Sequence, residues 1–315
     1  MMMKNKRLSK IALLLVLTLM LPLSGAAQSE TGRQRMRSRL ERLGRETRDY
    51  IHGKPWAYDG SLSTTHREIL LTGGRVGVID QYISPSAHTG YDIRISLGTD
   101  HPYFADRWHL RQELELGVGM PKNKANGTQM YLPGLYTQTA FSFSLLQRGG
   151  LRLEVAPAWS LLVQGNLKLS NSNNVANVKA TTGLDAWSRL SYRIPWETLP
   201  MRFSYSVSLP LLHIAYHPDY GQSYYEYVSG DNKTPIRLHL TAPHNSLAIR
   251  QRLLMELPIH NATWVVGLQH IGTVEKLSHT RYELGSVGLV LGVTLETTAL
   301  SGGRALRSTH IRSSY

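Results

Sequence analysis

The 315-residue chain contains no cysteine. That absence excludes a disulfide framework, a thiolate metal site, a cysteine nucleophile and a lipid-bearing cysteine at a signal junction. Beyond residue 23 no long apolar run free of charge occurs, so no transmembrane helix is expected in the rest of the chain. Acids are few beside bases, 22 against 35. Phenylalanine is scarce, with four residues against sixteen Tyr and six Trp. No glycine–lysine phosphate loop is present; GTDH (98–101) lacks that arrangement. No metal or cofactor motif stands out. The His213/His217 pair is spaced for a helix, but it sits on an expected strand, which would hold the two side chains ~13 Å apart.

The chain begins with Lys4, Lys6, Arg7 and Lys10, then an apolar run over 11–23, then Ser24, Gly25, Ala26 and Ala27. This is the three-part form of a secretory signal peptide, and the run is short of the roughly 20 apolar residues a span needs. Residues 1–27 are therefore expected to be cleaved, with a mature chain starting near Gln28. The segment carries four positive charges and no acid, which leaves +9 of the formal +13. Nucleic acid is the usual partner of a basic chain, but export argues against it. Anionic outer-membrane lipid, lipopolysaccharide phosphates or the barrel's own acidic side chains fit better. Residues 28–62 form a basic arm. Within it, Met36, Leu40 and Leu43 recur at helical spacing in ETGRQRMRSRLERLGRETRDY (30–50). The arm reads as a solvated periplasmic segment or, alternatively, a plug or surface helix.

From His66 onward the period is two. MRFSYSVSL (201–209) puts Phe203, Tyr205, Val207 and Leu209 on one face and Arg202, Ser204, Ser206 and Ser208 on the other. RQELELGVG (111–119) opposes Leu114, Leu116 and Val118 to Glu113 and Glu115. Ten strands are expected near 66–84, 89–103, 107–119, 129–147, 150–165, 177–194, 201–216, 243–258, 262–274 and 279–297. Twelve are possible if LTGGRV (71–76) turns or IRLHL (236–240) spans. Long polar connections (117–131, 166–179, 217–235) alternate with short ones (147–150, 195–200, 258–262). That sorting is expected of a closed, antiparallel transmembrane β-barrel with both termini in the periplasm. A soluble exported β-sandwich, the all-β alternative, has no reason to sort its loops.

On this reading the barrel covers 63–298, followed by a polar basic tail, 299–315, in which THIRSSY (309–315) makes a poor strand. Phe203, Tyr205, Val207 and Leu209 face lipid; Arg202, Ser204, Ser206 and Ser208 face a lumen largely filled by side chains. Phe104, Trp108 and Trp196 lie at inner turns. Tyr216, Tyr220, Tyr224, Tyr225 and Tyr227 cluster at the longest outer loop, as in an interfacial girdle.

VIDQYISPSAHTGYDIRI (78–95), GLDAWSRLSYR (183–193), PDYGQSYYE (218–226) and LGSVGLVLGV (284–293) resemble an uncharacterised family of Bacteroidetes outer-membrane barrels, a domain of unknown function. The resemblance implies fold and location, dependence on the barrel-assembly machinery, and no activity. One chemical candidate stands beside it. His244 and Ser246 share strand parity in APHNSLAIRQRLLMEL (242–257), and this His-x-Ser pair resembles, in outline, that of outer-membrane phospholipase A and the lipid A deacylases. Glu256, about ten residues further at ~3.3 Å per residue, lies at the other membrane edge and cannot orient His244. The main expectation is a non-enzymatic barrel acting through its outer loops or in envelope integrity; a lipid hydrolase is the alternative.

Overall fold

The computed structural model describes residues 61–103, 107–171, 174–194, 196, 200–218, 238–259, 262–277, 279–298 and 310–312. The expected signal peptide and most of the basic arm lie outside them. So do Phe104, Tyr220, Tyr224, Tyr225, Tyr227 and most of the tail.

Ten long strands form one ring: β2 (Thr65–Asp80), β3 (Ser84–Tyr103), β4 (Trp108–Lys122), β5 (Leu132–Arg148), β6 (Leu151–Leu167), β7 (Ala176–Ile194), β8 (Met201–Tyr216), β10 (Ser246–Ile259), β11 (Ala262–Leu277) and β12 (Thr280–Thr297). Every neighbouring pair is antiparallel. The ring closes because β12 pairs with β2 and β10 pairs with both β11 and β8. The long strands form one continuous ring, with no second large sheet among the described residues to pack against it, which sets aside the β-sandwich alternative. The short β9 (Leu238–Thr241) pairs only with the C-terminal end of β8, so the described part of IRLHL, 238–240, extends a hairpin and does not span. Strands β1 (Ser61–Ser63) and β13 (His310–Arg312) pair with each other, so three residues of the unpromising THIRSSY are in fact extended.

Local chemistry sets the ends of the strands. The first strand stops at Asp80, not at 84. The Asp80 carboxylate accepts the Tyr82 N–H at 3.1 Å, and its carbonyl accepts the Ile83 N–H at 3.1 Å, which turns the chain at once. LTGGRV does not turn. It runs through the middle of β2, where a Cβ on Gly74 would come within 2.2 Å of the Val287 carbonyl oxygen of β12. Glycine there permits the close approach of two backbones. The β5–β6 hairpin turns on Gly149 and Gly150, at φ 57° and 82°, the pair of left-handed residues that a tight hairpin needs.

The distribution of side chains is inverted relative to a soluble protein. Along β2 the buried positions include His66, Glu68, Thr72 and Asp80, while Ile69 and Leu71 are exposed. Along β8, Ser204 and Ser208 are buried and Tyr205 and Leu209 exposed; Arg202, Phe203, Ser206 and Val207 are half-buried. The register lines the exposed apolar residues into belts. One runs Val266–Leu291–Leu71–Ile95–Leu116 across five strands, and another Leu190–Tyr205–Leu253–Leu268–Leu289. At one end, Trp108 stacks on Phe141 at 4.9 Å. Apolar interior residues gather towards the opposite end, where Val76, Val78, Met130, Leu132, Ile271 and Leu284 form a cluster with Tyr82, Ile83 and Tyr282.

Candidate functional site

Because successive side chains alternate across a strand, each polar residue opposite an apolar one enters the lumen. The lumen therefore collects charge in tiers. At the end holding the turns after β3, β5, β7 and β10, Glu68 receives Arg111 at 2.9 Å. Asp100 receives Arg189 at 2.6 Å and His109 at 2.7 Å, and Arg189 also bonds Glu154 at 2.6 Å. Arg202, assigned to the lumen face from sequence, grips Glu256 with contacts of 2.6 to 2.9 Å.

The middle tier centres on Glu115. It accepts Arg250 at 2.6 Å, Gln269 at 2.8 Å, and Arg94 and Ser96 at 3.2 Å. Arg252 donates to Glu113 at 2.6 Å. The Arg250 guanidinium also lies 3.7 Å from the centre of the Tyr136 ring. At the outer tier, Asp80 accepts Lys179 and Asn177 at 3.0 Å and Asn166 at 2.5 Å. The Lys179 ammonium lies 3.3 Å from the Tyr282 ring centre.

Three of these ion pairs span the barrel. In the strand order, β10 stands five places from β4, and β2 five places from β7, in a ring of ten. Arg250–Glu115, Arg252–Glu113 and Lys179–Asp80 therefore join opposite walls. Each pair is largely dehydrated, with additional hydrogen bonds on its carboxylate or guanidinium, the condition under which a buried ion pair holds its geometry.

Between the middle and outer tiers lies a small chamber of about 60 Å3, bounded by Arg94, Tyr136 and Arg250 on one side and Lys179 and Tyr282 on the other. Its walls also carry the Asp185–His213 pair at 2.6 Å and Ser246, whose hydroxyl donates to Glu275 at 3.3 Å.

The His244–Ser246 candidate is separated by this geometry. His244 is exposed in a turn, not on a strand. Asn245 closes that turn: its side-chain oxygen accepts the Ala242 N–H at 2.9 Å, and the Ala242 carbonyl accepts the N–H groups of Asn245 and Ser246 at 3.0 Å. Strand parity therefore does not apply to His244. Among the described residues no hydrogen bond joins it to Ser246, which faces Glu275. Glu256 lies at the far end of β10, on Arg202. His213 and His217 have separate partners: His213 bonds Asp185, and His217 donates from Nδ1 to the Pro218 carbonyl at 3.0 Å and lies 3.3 Å from the Thr280 hydroxyl. Among the described residues no group of three or more potential metal ligands occurs.

Sequence reasoning missed Asp80, Lys179, Glu275 and the pairing of Glu113 and Glu115. Parity alone could have sent each into the lumen. It could not have matched partners on opposite walls, such as residues 115 and 250.

The fold and its interior define a closed, ten-stranded antiparallel β-barrel with a charged lumen and an apolar outer wall. The chain belongs to the family described as protein of unknown function (DUF3316), whose model matches residues 57–300. Membership of a domain-of-unknown-function family, expected from the four quoted phrases, is met by this match. No curated protein matches the sequence. Similar solved structures include the outer membrane protease OmpT from Escherichia coli, with 8% identity and a TM-score of 0.40, covering 75% of this chain and 97% of that one. The beta domain of the Bordetella autotransporter BrkA has 11% identity and a TM-score of 0.37, covering 73% and 98%. The attachment invasion locus protein Ail of Yersinia pestis has 9% identity and a TM-score of 0.24, covering 73% and 99%.

Proposed function

We propose that this protein is an outer-membrane β-barrel of a Gram-negative bacterium that works through its wall and outer loops, without an open channel. The observation that carries the reading is the set of three ion pairs across the lumen, Arg250–Glu115, Arg252–Glu113 and Lys179–Asp80. Side chains joined across the diameter narrow the lumen and weigh against an open channel. The belts of exposed Leu, Ile and Val support the membrane half of the reading. Water would penalise so large a contiguous apolar surface, whereas hydrocarbon accepts it. In this setting Phe203, Tyr205, Val207 and Leu209 face lipid, and Arg202, Ser204, Ser206 and Ser208 face the lumen. The partners are outer-membrane lipid, lipopolysaccharide and the barrel-assembly machinery. Residues 1–27 act as the export signal, and no nucleic acid or small-molecule cofactor is required.

The role is non-enzymatic. The separation of His244 from Ser246 weighs against a lipid hydrolase of the His-x-Ser kind, because no histidine stands beside the serine to take its proton.

The test is fractionation of cells producing the protein, with unheated and boiled samples run side by side on a denaturing gel. Recovery in the outer membrane with a mobility that changes on boiling is expected. Recovery in the soluble periplasm, with one mobility, would refute the reading.

A further inference from the structure

The register places four oxygen-bearing side chains in one row across the outer lumen. Ser246 of β10 lies opposite Glu275 of β11, Glu275 opposite Tyr282 of β12, and Tyr282 opposite Asp80 of β2. Directly opposed residues on neighbouring strands have Cβ atoms about 4.5–5.5 Å apart, so each member of the row is within reach of the next.

The two carboxylates of this row are treated differently. Asp80 holds the Lys179 ammonium at 3.0 Å, and that ammonium also rests on the Tyr282 ring. Glu275 is 6% exposed, yet among the described residues no cation lies within ion-pair distance of it. Its one hydrogen-bond partner is the Ser246 hydroxyl, at 3.3 Å. Every other buried carboxylate among the described residues has an arginine, lysine or histidine: Glu68, Asp92, Asp100, Glu115, Glu154, Asp185 and Glu256 all do. The Tyr282 hydroxyl, next in the row, is buried and, among the described residues, makes no well-formed hydrogen bond, with Asn166 as a polar neighbour. Ser246, Glu275 and Tyr282 all line the chamber.

We infer that the chamber is a binding site for a small organic cation, with Glu275 as its counter-ion. A buried charge is stable when it is paired and hydrogen-bonded, and the row supplies what a primary ammonium group needs. Such a group has three N–H donors. The Glu275 carboxylate, the Ser246 oxygen and the Tyr282 oxygen are three acceptors in sequence along one wall. The neighbouring Asp80 already shows an ammonium held in this row, supplied by the protein. The balance of charge in the chamber points the same way. Arg94, Arg250 and Lys179 each have a carboxylate behind them, while the one cationic group that Asp185 pairs with among the described residues is His213, and Glu275 has Lys179 and His213 near it but no cation in contact. An anion would find its cations taken, and a cation finds a carboxylate waiting. The chamber is small, about 60 Å3, where roughly 10–15 Å3 holds one water, so it suits a cation of only a few heavy atoms, such as a short diamine or amino alcohol.

The test uses the full barrel, folded in detergent micelles at low salt. Calorimetric titration compares 1,4-diaminobutane with its neutral counterpart 1,4-butanediol and with succinate. Saturable binding of the diamine alone is expected, weakened at least tenfold by Glu275→Gln, weakened less by Ser246→Ala, and unchanged by Tyr205→Phe on the outer wall. Failure of the wild-type barrel to bind the diamine, equal binding by Glu275→Gln, or binding of succinate in its place would overturn the assignment. Should Glu275→Gln not fold, the wild-type melting temperature decides. It must rise with diamine concentration and stay fixed with the diol; no rise overturns the proposal. The outcome does not depend on which membrane holds the barrel, so it is read separately from the fractionation result.

Discussion

Arg250 of β10 and Glu115 of β4 meet at 2.6 Å although their strands stand five places apart in a ring of ten. The contact therefore crosses the full width of the barrel. Arg94 and Gln269 join the same carboxylate, and the Tyr136 ring lies beside the guanidinium, so the bridge is held from several walls at once.

Removing one partner strands the other without its charge. Arg250→Ala leaves Glu115 buried with fewer donors and is expected to destabilise the barrel by about 3–5 kcal/mol. The temperature at which the folded gel band is lost on stepwise heating should fall well below that of wild type. An unchanged temperature would mean that the bridge carries no stability.

The outer belts give a sharper contrast. Leu71 is 49% exposed and Tyr205 41%. On a soluble protein, Leu71→Arg or Tyr205→Arg would change stability by no more than about 0.5 kcal/mol. In a bilayer an arginine near the midplane costs about 2–4 kcal/mol. Urea unfolding in phospholipid vesicles should show the larger loss for Leu71→Arg. A loss within the soluble range would contradict the lipid-facing assignment.

The β5–β6 turn separates two adjacent glycines. A Cβ on Gly149 meets open space, whereas one on Gly150 would lie 2.7 Å from the Arg193 carbonyl oxygen, and both residues have positive φ. Asparagine tolerates left-handed backbone, so Gly149→Asn should leave folding yield unchanged. Gly150→Val adds the left-handed penalty of about 1–2 kcal/mol to a backbone collision. The fraction migrating as folded on an unheated gel should drop for Gly150→Val alone.

His217, immediately beyond the outer end of β8, has its imidazole pushed down from the usual 6.5 to about 4, by burial first and by the Lys179 charge second. The folded protein therefore keeps this ring neutral. As pH falls below 6.5 the unfolded chain takes up a proton that the folded one refuses. The stability linked to this group is complete above pH 6.5 and is lost as pH falls towards 4. A melting series from pH 7.5 to 4 should decline over that window, and His217→Gln should decline less steeply. Equal slopes would remove His217 from the account.

Much of the barrel was legible in sequence. MRFSYSVSL sits in a strand whose bounds, Met201–Tyr216, match the expected 201–216. The reason is physical: alternation of period two is written by two opposed environments, and tight turns such as Gly149–Gly150 carry their own chemistry. The ring closure was implied by loop sorting and appears as β10 pairing with β8. Errors fell where a local device overrode the pattern. The Asp80 cap ended β2 early, the Asn245 turn removed His244 from its strand, and Gly74 looked like a turn but serves a close strand contact. The lumen tiers were the least legible part. A residue's parity sends it inward, but which wall it meets depends on the register of the whole ring. That is why Glu115 could be placed on a face while Arg250 could not be named as its partner, and why Glu275 did not stand out.

The most direct test of the central claim is electrical. The purified barrel, inserted into a planar lipid bilayer, is held at a fixed voltage and its current recorded. The cross-lumen pairs predict a flat baseline with no sustained single-channel steps. Steady, ohmic channels from the wild-type protein would contradict a lumen closed by Arg250–Glu115, Arg252–Glu113 and Lys179–Asp80.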